Sequence, residues 1–98
     1  TENSDPSWFG FPITIRENSP IKRNELLKYL DEKKIGFRLL FSGNVTKQPY
    51  MIGKSFRIVG DLKNTSTIMN NTFWIGLYPG LTNKQLDFVS DQIKNFVN

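Results

Sequence analysis

Three short segments of the chain carry large apolar residues at every second position, and this alternation restricts the possible folds more than any other feature. Because successive side chains of a strand point to opposite faces, each segment predicts a strand with one face directed at a core. The predicted strands are residues 8–15, 37–41 and 72–77. Pro12 has no backbone N–H to donate, so the first strand is expected at a sheet edge or at a bulge. In the third, Phe73 is expected to face the core and Trp74 the opposite side.

Helical spacing of apolar residues predicts the elements between and after these strands. Residues 23–33 carry three leucines on one helical face, which predicts an amphipathic helix. The last helix is predicted after Thr82, because Thr82 and Gln85 match a capping box. Residues 61–71 predict a weaker helix rich in Asn and Thr, after a short extended piece at 56–59. The order strand, helix, strand, loop, helix, strand, helix predicts an α+β domain with about three strands covered by helices.

The chain has 98 residues, a length that leaves room for one hydrophobic core. A domain of this size buries only roughly 60 to 65% of its unfolded surface, so marginal stability is expected unless something packs against it. The first residue is Thr and not Met, which predicts processing or excision from a longer protein. No apolar stretch approaches the roughly 20 residues of a membrane span, and the polar start lacks a signal-peptide core. We therefore expect a cytoplasmic protein with no membrane partner.

The sequence has no histidine and no cysteine. Disulfides, thiolate nucleophiles, cysteine-ligated metals and histidine bases are thus excluded within this chain. The carboxylates Asp87 and Asp91, four residues apart, fit a solvated helix face better than a paired acid. The net charge of +4 and the aromatic run at 8–11 leave open a small nucleic-acid-binding module. The charge is spread thinly, however, and core packing is the stronger interpretation of the aromatic run.

Residues 42–53 form a polar segment with neither strand nor helix periodicity, and this segment predicts a loop. Gly43 allows close backbone approach, while Asn44 and Gln48 can donate and accept hydrogen bonds. Lys47 offers a cation to a phosphate or sugar oxygen. The segment approaches the length at which connections without regular structure are usually functional or disordered. From its chemistry alone, an ordinary surface loop and part of a binding site are equally favoured.

The same loop carries a resemblance to a known family. Residues 37–50 (FRLLFSGNVTKQPY) resemble the corresponding stretch of the 3-dehydrases of deoxysugar biosynthesis. The segment at 78–82 (YPGLT) is similar to a motif shared more widely by the DegT/DnrJ/EryC1/StrS sugar aminotransferase family. Further segments resemble the C-terminal domain of the 3-dehydrases in the same order: SWFGFP at 7–12, VGDL at 59–62, IMN at 68–70 and TFWIG at 72–76.

This resemblance implies a fold and a parent enzyme. The fold would be the small C-terminal domain of a fold-type I vitamin B6 enzyme, which packs on its own large domain and on a homodimer mate. The parent would use pyridoxamine or pyridoxal 5'-phosphate, a 2Fe–2S cluster and an electron-donating reductase to remove the 3-hydroxyl of the CDP-linked sugar CDP-4-keto-6-deoxyglucose. That reaction belongs to lipopolysaccharide and O-antigen dideoxysugar biosynthesis. The catalytic His and the cluster cysteines would lie upstream, so the isolated domain is expected to be inert, to bind no cofactor or metal and to have no nucleic-acid partner.

The resemblance also implies which residues reach toward the sugar nucleotide: Arg38, Asn44, Lys47 and Gln48. In the family that the chain resembles, Arg often stands at the position of Lys47, and a Lys offers a point charge in place of a bidentate fork. A pyridoxal-phosphate sugar aminotransferase of the same family stays open, because the segment at 78–82 is common to both kinds of enzyme. An upstream Lys would indicate the transaminase and an upstream His the dehydrase. A purely structural interaction domain is a third possibility.

Overall fold

A computed structural model of the chain describes residues 2–98. Within these residues the fold has three strands and three α-helices, in the predicted order, and the α+β class is confirmed. Their bounds are β1 Gly10–Thr14, α1 Arg23–Glu32, β2 Phe37–Leu39, α2 Lys63–Asn71, β3 Thr72–Gly76 and α3 Asn83–Val97. Within the same range no helix has both the length and the hydropathy needed to cross a membrane.

The sheet is antiparallel throughout, with β3 between β1 and β2. Pro12 of β1 pairs with Trp74 of β3, and Arg38 of β2 pairs with the same residue from the other side. The backbone bond from Leu77 N to Phe9 O, 3.0 Å, extends the pairing of β1 and β3 beyond the strand bounds. The predicted edge position of the strand that contains Pro12 is confirmed, because β1 has a partner on one side only.

The hydrophobic core lies on the helical face of the sheet, centred on Phe73, whose side chain is 0% exposed. The three leucines of α1 and Ile35 complete the buried cluster around it. Helix α3 packs on the same side, where Tyr29 of α1 donates a 2.9 Å bond to Gln92 Oε1 and its ring lies 5.1 Å from the ring of Phe96, tilted by 42°. The prediction of a sheet covered by helices is therefore confirmed.

Helix α3 begins as the sequence predicts. The side chain of Thr82 accepts a hydrogen bond from Gln85 N, and the Gln85 side chain accepts one from Thr82 N at 2.8 Å. This reciprocal capping box satisfies two of the backbone N–H groups that a helix start leaves without partners.

One predicted strand is longer than the strand that forms. Strand β2 ends at Leu39 and not at residue 41, because Phe41 adopts a left-handed φ of +43° and its N–H bonds to Leu39 O at 2.9 Å. That tight turn brings the Phe41 ring to 5.4 Å from the ring of Trp74. Residues 56–59, predicted as a short extended piece, join no strand of the described sheet, and their apolar side chains are exposed.

Candidate functional site

The polar segment that follows β2 is a compact loop and not an extended connection. It contains two short 3₁₀ turns, Val45–Lys47 and Pro49–Met51, with Gln48 between them. Backbone bonds from Lys47 N to Asn44 O, 3.0 Å, and from Met51 N to Gln48 O, 2.9 Å, close the two turns. Local hydrogen bonds thus give the loop a defined shape although its sequence has no regular period.

Asn44 fixes this loop to α2 from the inside. Its side chain is only 2% exposed, and Oδ1 accepts bonds from Thr46 N at 3.1 Å and from Thr46 Oγ1 at 2.7 Å. Its Nδ2 donates to Ser66 Oγ on α2 at 3.1 Å. Both ends of the amide are therefore occupied by the protein, as a buried polar side chain requires.

Gly43 brings the loop backbone against the same helix. It has a left-handed φ of +59°, and a Cβ atom at this position would lie 2.6 Å from Met69 Cγ and 2.7 Å from Met69 Cβ. Only glycine combines this backbone conformation with so close an approach to the stem of a neighbouring side chain. Gly43 and Asn44 together dock the start of the loop on α2.

Lys47 and Gln48 follow on this docked base. Lys47 is exposed at the end of the first 3₁₀ turn, where its ammonium group is available to a ligand. Gln48 is half-buried, and its Nε2 donates to Ser42 O at the start of the loop. The structure thus brings together three of the four candidate residues, namely Asn44, Lys47 and Gln48, in one short loop.

Arg38 lies apart from these three on the face of the sheet opposite the helices. Its guanidinium is exposed and donates to Phe37 O at 3.0 Å. Beside it, Trp74 is half-buried between the rings of Phe9 and Phe41, which approach edge-on at 5.0 and 5.4 Å. The Trp74 side chain, which points away from the core, is thus partly covered by the two phenylalanine rings.

A cavity of about 320 Å³ adjoins Arg38 and is lined by Phe9 and Trp74 among others. A cation beside aromatic rings can accept an anionic or planar polar group, through charge-assisted hydrogen bonds and ring stacking. A larger cavity of about 840 Å³ lies between the sheet, at Phe11 and Ile75, and α3. Its walls are mostly apolar and none of the four candidate residues lines it.

Arg23 is a feature of this region that the sequence did not single out. From the first residue of α1, its Nη1 donates to Met69 O at 2.6 Å and to Thr72 O at 3.2 Å, where α2 ends and β3 begins. Burial lowers the pKa of this guanidinium from its ordinary value. Ser66 and Met69 were missed as well, because nothing in their spacing points to loop residues more than twenty positions earlier.

Known proteins similar to this chain fall in one group. The family model described as DegT/DnrJ/EryC1/StrS aminotransferase matches residues 1–94. The lipopolysaccharide biosynthesis protein RfbH of Salmonella typhimurium is 59% identical over 96 residues, which are 98% of this chain and 22% of that protein. The dTDP-4-dehydro-2,6-dideoxy-D-glucose 3-dehydratase of Saccharopolyspora spinosa is 43% identical over 97 residues, 99% of this chain and 21% of that protein.

The fold also matches part of a solved structure. The crystal structure of GDP-4-keto-6-deoxymannose-3-dehydratase with a trapped PLP-glutamate geminal diamine superimposes with a TM-score of 0.76, at 21% identity. The match covers 87% of this chain and 22% of that one. The chain therefore spans about a fifth of the length of the curated relatives that it matches.

Proposed function

We propose, from the premise that this chain belongs to the DegT/DnrJ/EryC1/StrS aminotransferase family, that it is the small C-terminal domain of a sugar-nucleotide 3-dehydrase. The observation that carries the proposal is the 59% identity with RfbH, which extends over 98% of this chain. Two further relatives that cover nearly the whole chain bear the name of 3-dehydratases that act on nucleotide-linked sugars. The dehydrase is therefore better supported than a transaminase of the same family.

The parent enzyme is proposed to remove the 3-hydroxyl of CDP-4-keto-6-deoxyglucose in lipopolysaccharide dideoxysugar biosynthesis, in the cytoplasm. Its partners would be a homodimer mate and a reductase that delivers electrons. This chain would supply one wall of the substrate pocket. On its own it would have no activity.

The iron–sulfur cluster of such a parent does not fit the residues of this chain. A 2Fe–2S cluster is held by cysteine thiolates, in some proteins together with histidine, and the sequence contains neither residue. Among residues 2–98 no group of three acidic, histidine or cysteine side chains could hold a metal ion. The cluster and the vitamin B6 cofactor, which supplies an electron sink, would be held by the rest of the parent polypeptide.

Within this domain, the docked loop is proposed to face the sugar nucleotide. Lys47 would donate to a phosphate oxygen as a point charge, and Gln48 would offer its amide to the sugar or the phosphate. Arg38 would meet the nucleotide at the cavity beside Trp74. Asn44, which the resemblance also implied as a contact, has its amide occupied inside the protein, so the role proposed for it is to hold the loop.

The proposal is tested by the product of the full-length parent. The enzyme would be reconstituted with pyridoxamine 5'-phosphate, an iron–sulfur cluster and a reductase, then incubated with CDP-4-keto-6-deoxyglucose and analysed by mass spectrometry. We expect a CDP-sugar that has lost the 3-hydroxyl, and no such product when the reductase is omitted.

A different product would identify a different enzyme. If the same parent, given pyridoxal 5'-phosphate and glutamate, releases a CDP-amino sugar instead, the chain belongs to a sugar aminotransferase. Failure to act on any nucleotide-linked keto-sugar would leave the structural interaction domain as the better account.

A further inference from the structure

Helix α2 is poorly able to hold its own position. It has nine residues, six of which are Asn, Ser or Thr, and these residue types are weak helix formers. A helix this short is marginal in water without tertiary contacts. At its start, Leu62 adopts a left-handed φ of +51° and gives no side-chain cap, and the side-chain bond to the first turn, from Lys63 N to Asp61 Oδ1 at 2.9 Å, is exposed. The place of α2 in the domain must therefore come from contacts with other elements.

Arg23 supplies such a contact at the end of α2. Its Nη1 bonds to Met69 O and Thr72 O, so one cationic group binds two carbonyls where α2 passes into β3. A cation is favourable there, because the C-terminal carbonyls of a helix carry partial negative charge and lack helical partners. Arg23 is itself anchored, since α1 contributes three leucines to the buried core.

The loop docks on the last two turns of α2. The side chain of Met69 receives the backbone of Gly43, and Ser66, one turn earlier, accepts the bond from Asn44. Met69 is thus held through its carbonyl by Arg23 and carries the loop through its side chain. A chain of direct contacts runs from the core helix α1 to the loop that bears Lys47.

We propose that Arg23 is a positioning residue that sets the place of the loop at 42–53 by holding the last turn of α2. Its consequence for catalysis rests on the proposed function, because only then does the loop face a substrate. Both bonds come from Nη1, while the buried Nε has no hydrogen-bond partner among residues 2–98. A lysine ammonium could donate to both carbonyls, but the side chain is one atom shorter and the ammonium is more strongly hydrated, so Arg23→Lys is expected to restore only part of the contact.

The test compares Arg23→Ala, Arg23→Lys and the control Lys28→Ala in the full-length parent. The control removes an exposed cation from the same helix. Hydrogen exchange is followed by mass spectrometry in peptides that cover 42–53, the end of α2, and β3. Losing bonds from a charged donor is expected to speed exchange in the loop and the end of α2 about tenfold or more in Arg23→Ala. We expect less in Arg23→Lys, no change in the control, and unchanged protection of β3.

Kinetics provide a readout that a general loss of stability would not give. The KM for the sugar nucleotide is expected to rise about tenfold in Arg23→Ala while kcat changes less than about twofold, with Arg23→Lys in between. Exchange in the loop equal to that of the unmodified enzyme would overturn the inference, as would an equal increase across β3 and the core. A failure of the proposed function would appear separately, as an unmodified parent that makes no deoxygenated sugar, and the exchange comparison would still decide the role of Arg23.

Discussion

Replacing Gly43 with alanine is expected to lower the free energy of unfolding by about 2 to 5 kcal/mol. A left-handed conformation costs a non-glycine residue about 1 to 2 kcal/mol. The added Cβ would also lie within 2.7 Å of both Cβ and Cγ of Met69, and 3.1 Å from its Cα. Because these atoms belong to the stem of the side chain and to the helix backbone, relief requires α2 or the loop to move, at about 1 to 3 kcal/mol. Urea denaturation followed by tryptophan fluorescence measures the change.

Gly53→Ala is the matched control for this prediction. Gly53 also has a left-handed φ, +74°, but no atom lies within 4 Å of the position of its Cβ. Its substitution carries the cost of conformation without the collision, so we expect a loss of only about 1 to 2 kcal/mol. Equal losses for the two variants would mean that the loop is not pressed against α2, and the site as described would be incorrect.

Replacing Phe73 with alanine is expected to lower the free energy of unfolding by about 3 to 5 kcal/mol, the range for removing a buried aromatic ring. Phe73 is 0% exposed and stands at the centre of the cluster formed by α1 and β3. Thermal unfolding would register the loss as a fall of roughly 15 to 30 °C in the midpoint for a domain of this size. The stability of small domains totals only about 5 to 15 kcal/mol, so this variant is expected to lose a large fraction of the stability of the domain.

Phe41→Ala provides the comparison for Phe73. Phe41 is 85% exposed and contacts Trp74 edge-on, so its removal is expected to cost only about 0.5 to 1.5 kcal/mol, the value of an aromatic pair. If Phe41→Ala were as damaging as Phe73→Ala, the core would lie on the Trp74 face of the sheet and not on the face covered by the helices.

Local patterns were enough to predict the framework of this domain. The alternation in 72–77 placed Phe73 toward the core and Trp74 on the opposite face, and the pair Thr82 and Gln85 marked the start of α3. Both signals act within a few residues, where backbone geometry relates sequence spacing directly to position. The edge position of β1 followed for the same reason from the missing N–H of Pro12.

Contacts between distant residues were not predictable in this way. Arg23 meets Met69 across 46 positions, and Asn44 meets Ser66 across 22. No periodicity relates such pairs, and an arginine at the first position of a helix looks like an ordinary solvated cation. The early end of β2 has a similar cause, because Phe41 turns away from the strand to reach a tryptophan 33 residues later.

The composition of the loop made it a candidate site but did not separate its residues by role. An amide side chain offers one acceptor and two donor hydrogens whether it binds a ligand or its own protein. Burial makes the distinction: Asn44 is enclosed and bonded on both sides, while Lys47 is exposed at the end of a turn. Asn44 and Lys47 are three positions apart, and the packing of Asn44 on α2 is what distinguishes its role from that of Lys47.

Whether the docked loop faces the sugar nucleotide is tested most directly by the KM of the full-length parent for the proposed substrate, CDP-4-keto-6-deoxyglucose, after Lys47→Ala. A hydrogen bond from a charged donor contributes about 1.5 to 3 kcal/mol, so we predict a rise of about 10- to 100-fold with kcat within about twofold. The control Lys54→Ala, which removes an exposed cation just beyond the loop, should leave the KM unchanged. A Lys47→Ala enzyme with the same KM as the unmodified one would contradict the placement of this loop at the substrate pocket.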